Sequence, residues 1–348
     1  MNLDQRTILI TGGAGCIGSN LTRALLSRAK LIVVLDDLSS SEQWNVPQDR
    51  RVKFVQGDVC HDDVLAQVFS YQPEVVFHLA ALFANQNSIE HPREDLRVNG
   101  LGTLKLLQQA QMARVERLVF ASSGCSVYGA EAPLPVTEDF VSLELDTPYQ
   151  ITKLLGELYC NYFHHYLRVP VVRARFFNVF GPGEIPGRYR NVIPNFVYRA
   201  LRGEALTITG TGEETRDFTY VDDIIAGVLA CAEKDSAVGH AFNLASGRET
   251  RVIELAEAIN AETGNKAGIE FTGSRDWDRI TRRCASVEKA RTLLGYHPRT
   301  SMLEGLRTVI AWTRANMHRV DQAMQISSRT GSPDLSVAGP AEALQTSA

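Results

Sequence analysis

The chain has 348 residues, with 36 Lys and Arg against 40 Asp and Glu, a formal net charge of -4 and 44% hydrophobic residues. That length suits one large domain or two coupled ones, and the balanced charge excludes the basic signature of nucleic-acid or anionic-membrane binding. No apolar run approaches a membrane span, no apolar stretch of a secretory signal precedes the first strand, and six scattered cysteines (16, 60, 125, 160, 231, 284) form no CxxC pair, so a cytoplasmic protein with reduced thiols and no metal site is expected.

Residues 6–10 are a short β-branched run and predict a buried strand. Residues 17–28 carry Ile17, Leu21, Leu25 and Leu26 at helical spacing. Between them stand Gly12, Gly15 and Gly18, at three-residue intervals. Glycines there serve a tight turn, the close approach of backbone to a pyrophosphate, and close packing of helix on strand. The helix start adds free N–H groups and a positive dipole end. A second strand, 31–36, ends on Asp36, where a carboxylate can accept from the adenosine ribose hydroxyls. A carboxylate repels a 2′-phosphate, so NAD(H) is expected over NADP(H), with Asp37 reinforcing the preference.

Strand and helix signals keep alternating. Strands are expected at 52–59, 74–81, 115–123 and 169–178, and helices at 62–70, 93–113 and 149–167. This order predicts an α/β fold, a doubly wound parallel sheet of Rossmann type, whose ligand lies beyond the carboxyl ends of the strands. Asp36, Asp58, Ala80, Ala81, Ser122, Ser123 and Asn178 fall at those ends. Asp58 suits either the adenine amine or the N-cap of the helix at 62–70. Tyr149 and Lys153, at i and i+4, share a helix face. A tyrosine is a poor base at its ordinary pKa of roughly 10. A nearby ammonium and a positive nicotinamide would lower it. The pair thus points to proton removal from a hydroxyl as hydride leaves the same carbon.

With these motifs in place, the chain resembles an extended short-chain dehydrogenase/reductase of the nucleotide-sugar epimerase and dehydratase group, from about residue 6 to about residue 315. The resemblance rests on TGGAGCIGS at 11–19, GDV at 57–59, FHLAA at 77–81, SSGCSVYG at 122–129, YQITK at 149–153, RFFNVFGPG at 175–183, GTGEETRDFTYVDD at 210–223 and LGYHP at 294–298. It implies a tightly held NAD, oxidation of a sugar hydroxyl, usually at C4, and return of the hydride. By this resemblance the cofactor is met by Gly12, Gly15, Cys16, Ile17, Gly18, Asp36, Asp37, Asp58, Val59, Leu79, Ala80, Ala81, Asn99, Ser122, Tyr149 and Lys153. Tyr149 would be the base and Lys153 its partner; Asn178, Arg216 and Arg275 would meet the substrate diphosphate, as guanidinium forks do. A surface salt bridge is the alternative for either arginine. Phe83 opens an amide-rich stretch, 83–88, that suits an uncharged sugar.

Two departures matter. The serine or threonine usual three residues before Val-Tyr-Gly is Gly124 here, leaving Ser123, Ser126 or a water to bond the reacting hydroxyl. Dehydratases carry Asp-Glu in the next two places and decarboxylases a glutamate in the last; here these are Cys125 and Ser126. Elimination of water needs a general acid and a base besides the tyrosine. Epimerisation needs neither. A nucleotide-sugar epimerase, most simply at C4, is therefore expected, with a 4,6-dehydratase or decarboxylase as alternative. A non-catalytic NAD(H) sensor is the rival from another class.

The expected organisation is a dinucleotide domain over 1–178, with returning segments near 215–245, a substrate domain over 179–318 and a flexible tail over 319–348. The helices at 93–113 and 149–167 are apolar on more than one face, as in Leu154, Leu155, Leu158, Tyr162, Phe163 and Tyr166. Such helices are buried twice. The resemblance makes the second cover the same pair from another subunit, a homodimer; the alternative is a helix wholly internal to one chain.

Overall fold

A computed structural model describes residues 1–275 and 277–329. Six strands, β1 (Thr7–Thr11), β2 (Leu31–Asp36), β3 (Val52–Gln56), β4 (Val75–His78), β5 (Arg117–Ser123) and β6 (Val171–Phe176), and a seventh, Ala241–Leu244, form one sheet. Its order is β3, β2, β1, β4, β5, β6 and then Ala241–Leu244, with every neighbouring pair parallel. The chain runs outward from β1 in one direction and then from β4 in the other, so the crevice between β1 and β4 is the switch point at which such sheets bind ligands.

The central strands are apolar without a break because both faces are covered. Ile8 and Ile10 of β1 join one core, with Val34, Val119 and Val172. Leu9 points to the other, with Val33, Leu118 and Val171. Helix α1 (Cys16–Leu25) buries Leu21 and Leu25 on the first face. On the second face lie α2 (Asp62–Phe69) and a longer helical run made of α3 (Pro92–Asp95), a π-type stretch Leu96–Gly102 and α4 (Thr103–Met112). Helix α5 (Pro148–His165) starts on Thr147, whose side-chain oxygen accepts the Gln150 N–H, with Pro148 in the first turn where its missing donor costs nothing.

The expected strands all occur, and those at 52–59, 74–81 and 169–178 end early. The strand at 52–59 stops at Gln56, because Gly57 and Asp58 turn the chain, and the strand at 74–81 stops at His78. The stretch 215–220 does not return to the sheet. Thr215–Arg216 pairs antiparallel with Thr250–Arg251, and Thr219–Tyr220 pairs parallel with Val179–Phe180. Asp217 separates them, fully buried, its carboxylate accepting from the backbone N–H groups of Ser246, Gly247 and Ala285. Of the returning pieces, Ala241–Leu244 is the one that enters the sheet, beside β6.

The stretch from 319 was expected as tail, yet residues 317–329 form a helix, Met317–Arg329. Val320 is fully buried in a small cluster with Ile185 and Tyr198, against Trp44 and Trp312, whose rings stack at 5.8 Å. Four apolar residues of the helix, Met317, Val320, Ala323 and Met324, join this cluster, too thin a stripe on a polar helix to announce itself in the sequence. Residues 330–348 of the expected tail lie outside the described residues. Among the described residues no helix is long and apolar enough to cross a membrane.

Candidate active site

The glycine turn follows β1 and lies against the chain that leaves β4. Gly12 has φ +69°, and a Cβ there would sit 2.7 Å from the Ala80 nitrogen. A Cβ on Gly18 would sit 2.4 Å from the Gly12 carbonyl oxygen, so helix and turn touch. A Cβ on Gly15 would meet one atom, the Gly12 carbonyl oxygen at 3.4 Å, which leaves its outer side open. Gly15 is the N-cap of α1 with no side-chain cap, Cys16 and Ile17 begin the helix, and its first turn holds no acid. Uncapped N–H groups and an uncompensated positive end form a cradle for an anion.

Asp36 is buried at the end of β2 and accepts from the Ala14 N–H at 2.9 Å, the Leu38 N–H at 2.9 Å and the Ser41 hydroxyl at 2.7 Å. It is tied to the turn. Asp37 is exposed and accepts from Ser39 in a surface turn of its own, so the structure joins Asp36 rather than Asp37 to the cradle. Asp58 is not a helix cap: His61 holds that place, and Asp58 accepts from the Cys60 N–H at 2.8 Å and from Arg97 at 2.7 Å. Burial pushes the Asp58 carboxyl up, but these two partners outweigh it and hold it below the usual range. Val59 beside it is buried.

After β4, the Leu79 N–H donates to the Thr11 carbonyl at 3.1 Å and the Ala80 N–H to the Thr11 hydroxyl at 3.2 Å; Ala81 follows, partly buried. Asn99 fixes the next residue, accepting from the Leu82 N–H at 2.8 Å and donating to Asp95 at 2.8 Å. Asp95, fully buried, also accepts from the Thr152 hydroxyl at 2.7 Å. Asn99 thus acts as a brace between this segment and α5. Ser122 is spent as well: its hydroxyl donates to Glu157 at 2.5 Å beneath β5, so its side chain is not free for a cofactor.

Tyr149 is 7% exposed, with the Phe83 ring edge-on at 5.9 Å, and its hydroxyl has no hydrogen-bond partner among the described residues. The Lys153 ammonium lies 5.6 Å from the Tyr149 ring centre and donates to the Ala121 carbonyl at 3.0 Å. The expected lowering of the tyrosine pKa is not what the protein alone produces. Burial pushes the Tyr149 phenol above its ordinary value, and Asp95 and Cys125 add to this. Burial also pulls Lys153 down to about 8, against Asp95. Because burial dominates at the Tyr149 phenol, further positive charge that favours a phenolate has to come from a bound group.

Gly124 has no room for the usual hydroxyl side chain, since a Cβ there would lie 1.9 Å from a Phe177 ring carbon. The Ser126 hydroxyl, buried, donates to the Ser123 oxygen at 2.9 Å, which leaves the partly exposed Ser123 as the outer member of the pair. The Cys125 thiol donates to the Asn178 side-chain oxygen at 3.2 Å, and burial pushes it up. In the second half, Arg216 is paired with Asp278 at 3.3 Å, and Arg275 lies 5.6 Å over the Trp277 ring, close enough for the two guanidiniums to act on each other. Trp277 donates to Gln86 at 2.8 Å, which draws the arginine loop onto the stretch containing Phe83. The structure therefore brings Tyr149, Lys153, Ser123, Ser126, Phe83 and Asn178 to one end of the sheet.

Three contributors escaped the sequence reading. Asp95 and Thr152 look like ordinary helix polar residues. Arg283, 1% exposed with an unpartnered Nε, sits where Cys125 and Arg216 act on it. Among the described residues no group of three or more His, Cys, Asp or Glu can hold a metal, and all six cysteines are free.

The residues present fit NAD: an open cradle at Gly15, a buried carboxylate at Asp36 at the end of β2, and small residues at 80 and 81 across the switch point. With a tyrosine and lysine beyond the adjoining strand, the fold and site define a dinucleotide-dependent enzyme acting on an alcohol carbon. Comparison with known proteins narrows the class. The chain belongs to the NAD dependent epimerase/dehydratase family, whose model matches residues 8–245. It is 33% identical over 309 residues to a UDP-glucose 4-epimerase of Mycolicibacterium smegmatis, covering 88% of this chain and 98% of that one. Its structure matches that of the epimerase Mth375 of Methanothermobacter thermautotrophicus at 52% identity and TM-score 0.91, over 92% and 96% of the two chains. It also matches Bordetella bronchiseptica WbmF in complex with NAD+, at 38% identity and TM-score 0.82, over 94% and 98%.

Proposed function

We propose that the chain is an NAD-dependent nucleotide-sugar epimerase acting at C4. One observation carries the choice of reaction: among the described residues no acid with a free oxygen stands beside Tyr149. Cys125 and Ser126 are neutral, and Asp95, the carboxylate that acts on Tyr149, has one oxygen bonded by Asn99 and the other by Thr152. Such a group is not free to protonate a leaving hydroxyl.

When bound, NAD supplies the acceptor that takes the carbon-bound hydrogen with its electron pair and gives it back. The rest falls to the protein. Tyr149 accepts the hydroxyl proton and later returns it. Lys153 favours the phenolate and holds the nicotinamide ribose. Ser123, backed by Ser126, bonds the reacting oxygen. Arg216 and Arg275 grip the diphosphate, which requires Arg216 to leave Asp278, while Asn178 lines the same end and Phe83 packs the sugar side. Because the grip lies away from the sugar, the ring can turn over between the two transfers.

Incubation with candidate UDP-, GDP- and dTDP-sugars is expected to give a product of unchanged mass and altered retention. A product lighter by water or by carbon dioxide would establish a dehydratase or decarboxylase instead.

A second copy of the chain completes the assembly. Leu158 and Tyr162 on α5 and Tyr166 at its C-terminal cap are 56%, 50% and 74% exposed, and Leu96 and Leu101 are 54% and 46% exposed beside them. Leu154 and Phe163 of the same helix are buried while Leu158 and Tyr162 are exposed, so its own chain covers one face of it and leaves the other open. A contiguous apolar face of this kind marks a protein interface. Sedimentation should return a dimer, and Leu158→Glu a monomer; a wild-type monomer at micromolar concentration counts against the interface.

A further inference from the structure

The segment that leaves β6 lies over the glycine turn. The Asn20 amide donates to the Pro182 carbonyl at 2.8 Å. The Asn45 amide donates to the Gly183 carbonyl at 2.9 Å and to the Ala14 carbonyl at 3.1 Å, and the Cys16 thiol to the Gly181 carbonyl at 3.6 Å. Gly183 has φ +90°, and a Cβ there would come within 3.2 Å of the Ser19 hydroxyl. Residues 181–183 are thus pinned to the first turn of α1 by backbone, and the loop they begin runs on to Arg190.

Arg190 is partly buried, and its backbone N–H closes a turn on the Gly187 carbonyl at 3.1 Å. Its guanidinium makes no hydrogen bond and no ion pair among the described residues. Burial pulls it down, and the carboxylates that act on it are Glu184 in its own loop and Asp36 in the cradle. Glu184 does not satisfy it. That side chain is 9% exposed, one oxygen accepts from Asn191 at 3.1 Å, and the other is buried with no partner. A partly buried guanidinium with no acceptor in the protein leaves its N–H groups to water or to a bound anion. Its planar fork matches phosphate oxygens.

We propose that Arg190 is a ligand of the cofactor's diphosphate, reaching across from the substrate side of the fold, with the loop 181–191 as the outer wall of the cradle. Arg216 and Arg275 belong to a different neighbourhood, that of Asp278 and Trp277, so the two diphosphates of the reaction are held by separate arginines. The proposal rests on NAD as the cofactor and is independent of which sugar is turned over.

The test is titration of nucleotide-free protein with NAD, ADP-ribose, adenosine and UDP, followed by calorimetry. Arg190→Ala should weaken NAD and ADP-ribose by about 10–100-fold, the worth of one charge-assisted hydrogen bond. Adenosine and UDP should bind as in the wild type, and Arg190→Lys should fall between. Unchanged NAD affinity in Arg190→Ala, or equal losses for adenosine and UDP, would overturn the assignment. If Arg190→Ala does not fold by thermal melting, Arg190→Gln carries the same comparison. A wild type that takes up no NAD would speak against the cofactor itself rather than against Arg190.

Discussion

Tyr149→Phe should keep its dinucleotide and lose turnover by roughly 10²–10⁴-fold, the ordinary contribution of a positioned acid–base group. The substitution removes one oxygen. It leaves the ring that packs on Phe83, the backbone bond from the Tyr149 N–H to the Ser88 hydroxyl, and the Lys153 contact with the Ala121 carbonyl. The phenol has no partner among the described residues, so no buried group is orphaned and stability should hold. Mass analysis of the nucleotide released on denaturation, beside single-turnover rates, separates binding from chemistry. If the variant retains full function in the cell, the chain is a redox sensor that borrows the fold, because such a protein has no need of the phenol.

Glu157→Ala should destabilise the fold by about 3–5 kcal/mol, read from urea unfolding. Glu157 and Arg175 are each 2% exposed and pair at 2.7 Å beneath β5 and β6. Without the carboxylate, a buried cation keeps the Tyr128 hydroxyl and the Glu138 carbonyl as its partners. Replacing both members with apolar side chains of similar size should recover most of the loss, since breaking a buried pair costs far more than removing it whole. Burial pushes the Glu157 carboxyl up, but Arg175 outweighs this and holds it below its ordinary value. The pair's contribution is therefore complete above the unfolded pKa of about 4.3 and is lost as pH falls through the lower folded value. The Ser122 hydroxyl is bonded to the same carboxylate, so the end of β5 that carries Ser123 should loosen with it.

What could be read from the sequence was what short stretches determine alone. Gly12, Gly15 and Gly18 announce themselves because strand, turn and helix follow within a dozen residues. Tyr149 and Lys153 do so because one helix sets their spacing. Residues whose role is fixed by distant partners stayed hidden. Asp95 reads as a helix polar residue until Asn99 and Thr152 are placed on either side of it. Arg190 reads as a loop charge until the loop is laid on α1. Asp217 divides a stretch with strand composition because three backbone donors, from Ser246, Gly247 and Ala285, converge on it. Gly124 was visible as a departure, but its cause, the Phe177 ring in the space a side chain would take, belongs to tertiary packing.

The position of Ala241–Leu244 has a bearing on how the chain is made. That strand pairs with β6 at the margin of the sheet, and the region just before it is tied to the first half: Arg117 donates to the carbonyls of Cys231 and Lys234, and Arg28 pairs with Glu233. A nascent chain that has emerged only through residue 178 therefore exposes a hydrogen-bonding edge along β6 with nothing to cover it. Contacts of such long sequence separation form late and slowly. The first 178 residues are not a unit that closes its own sheet: the chain through residue 244 must leave the ribosome before the last strand can be added.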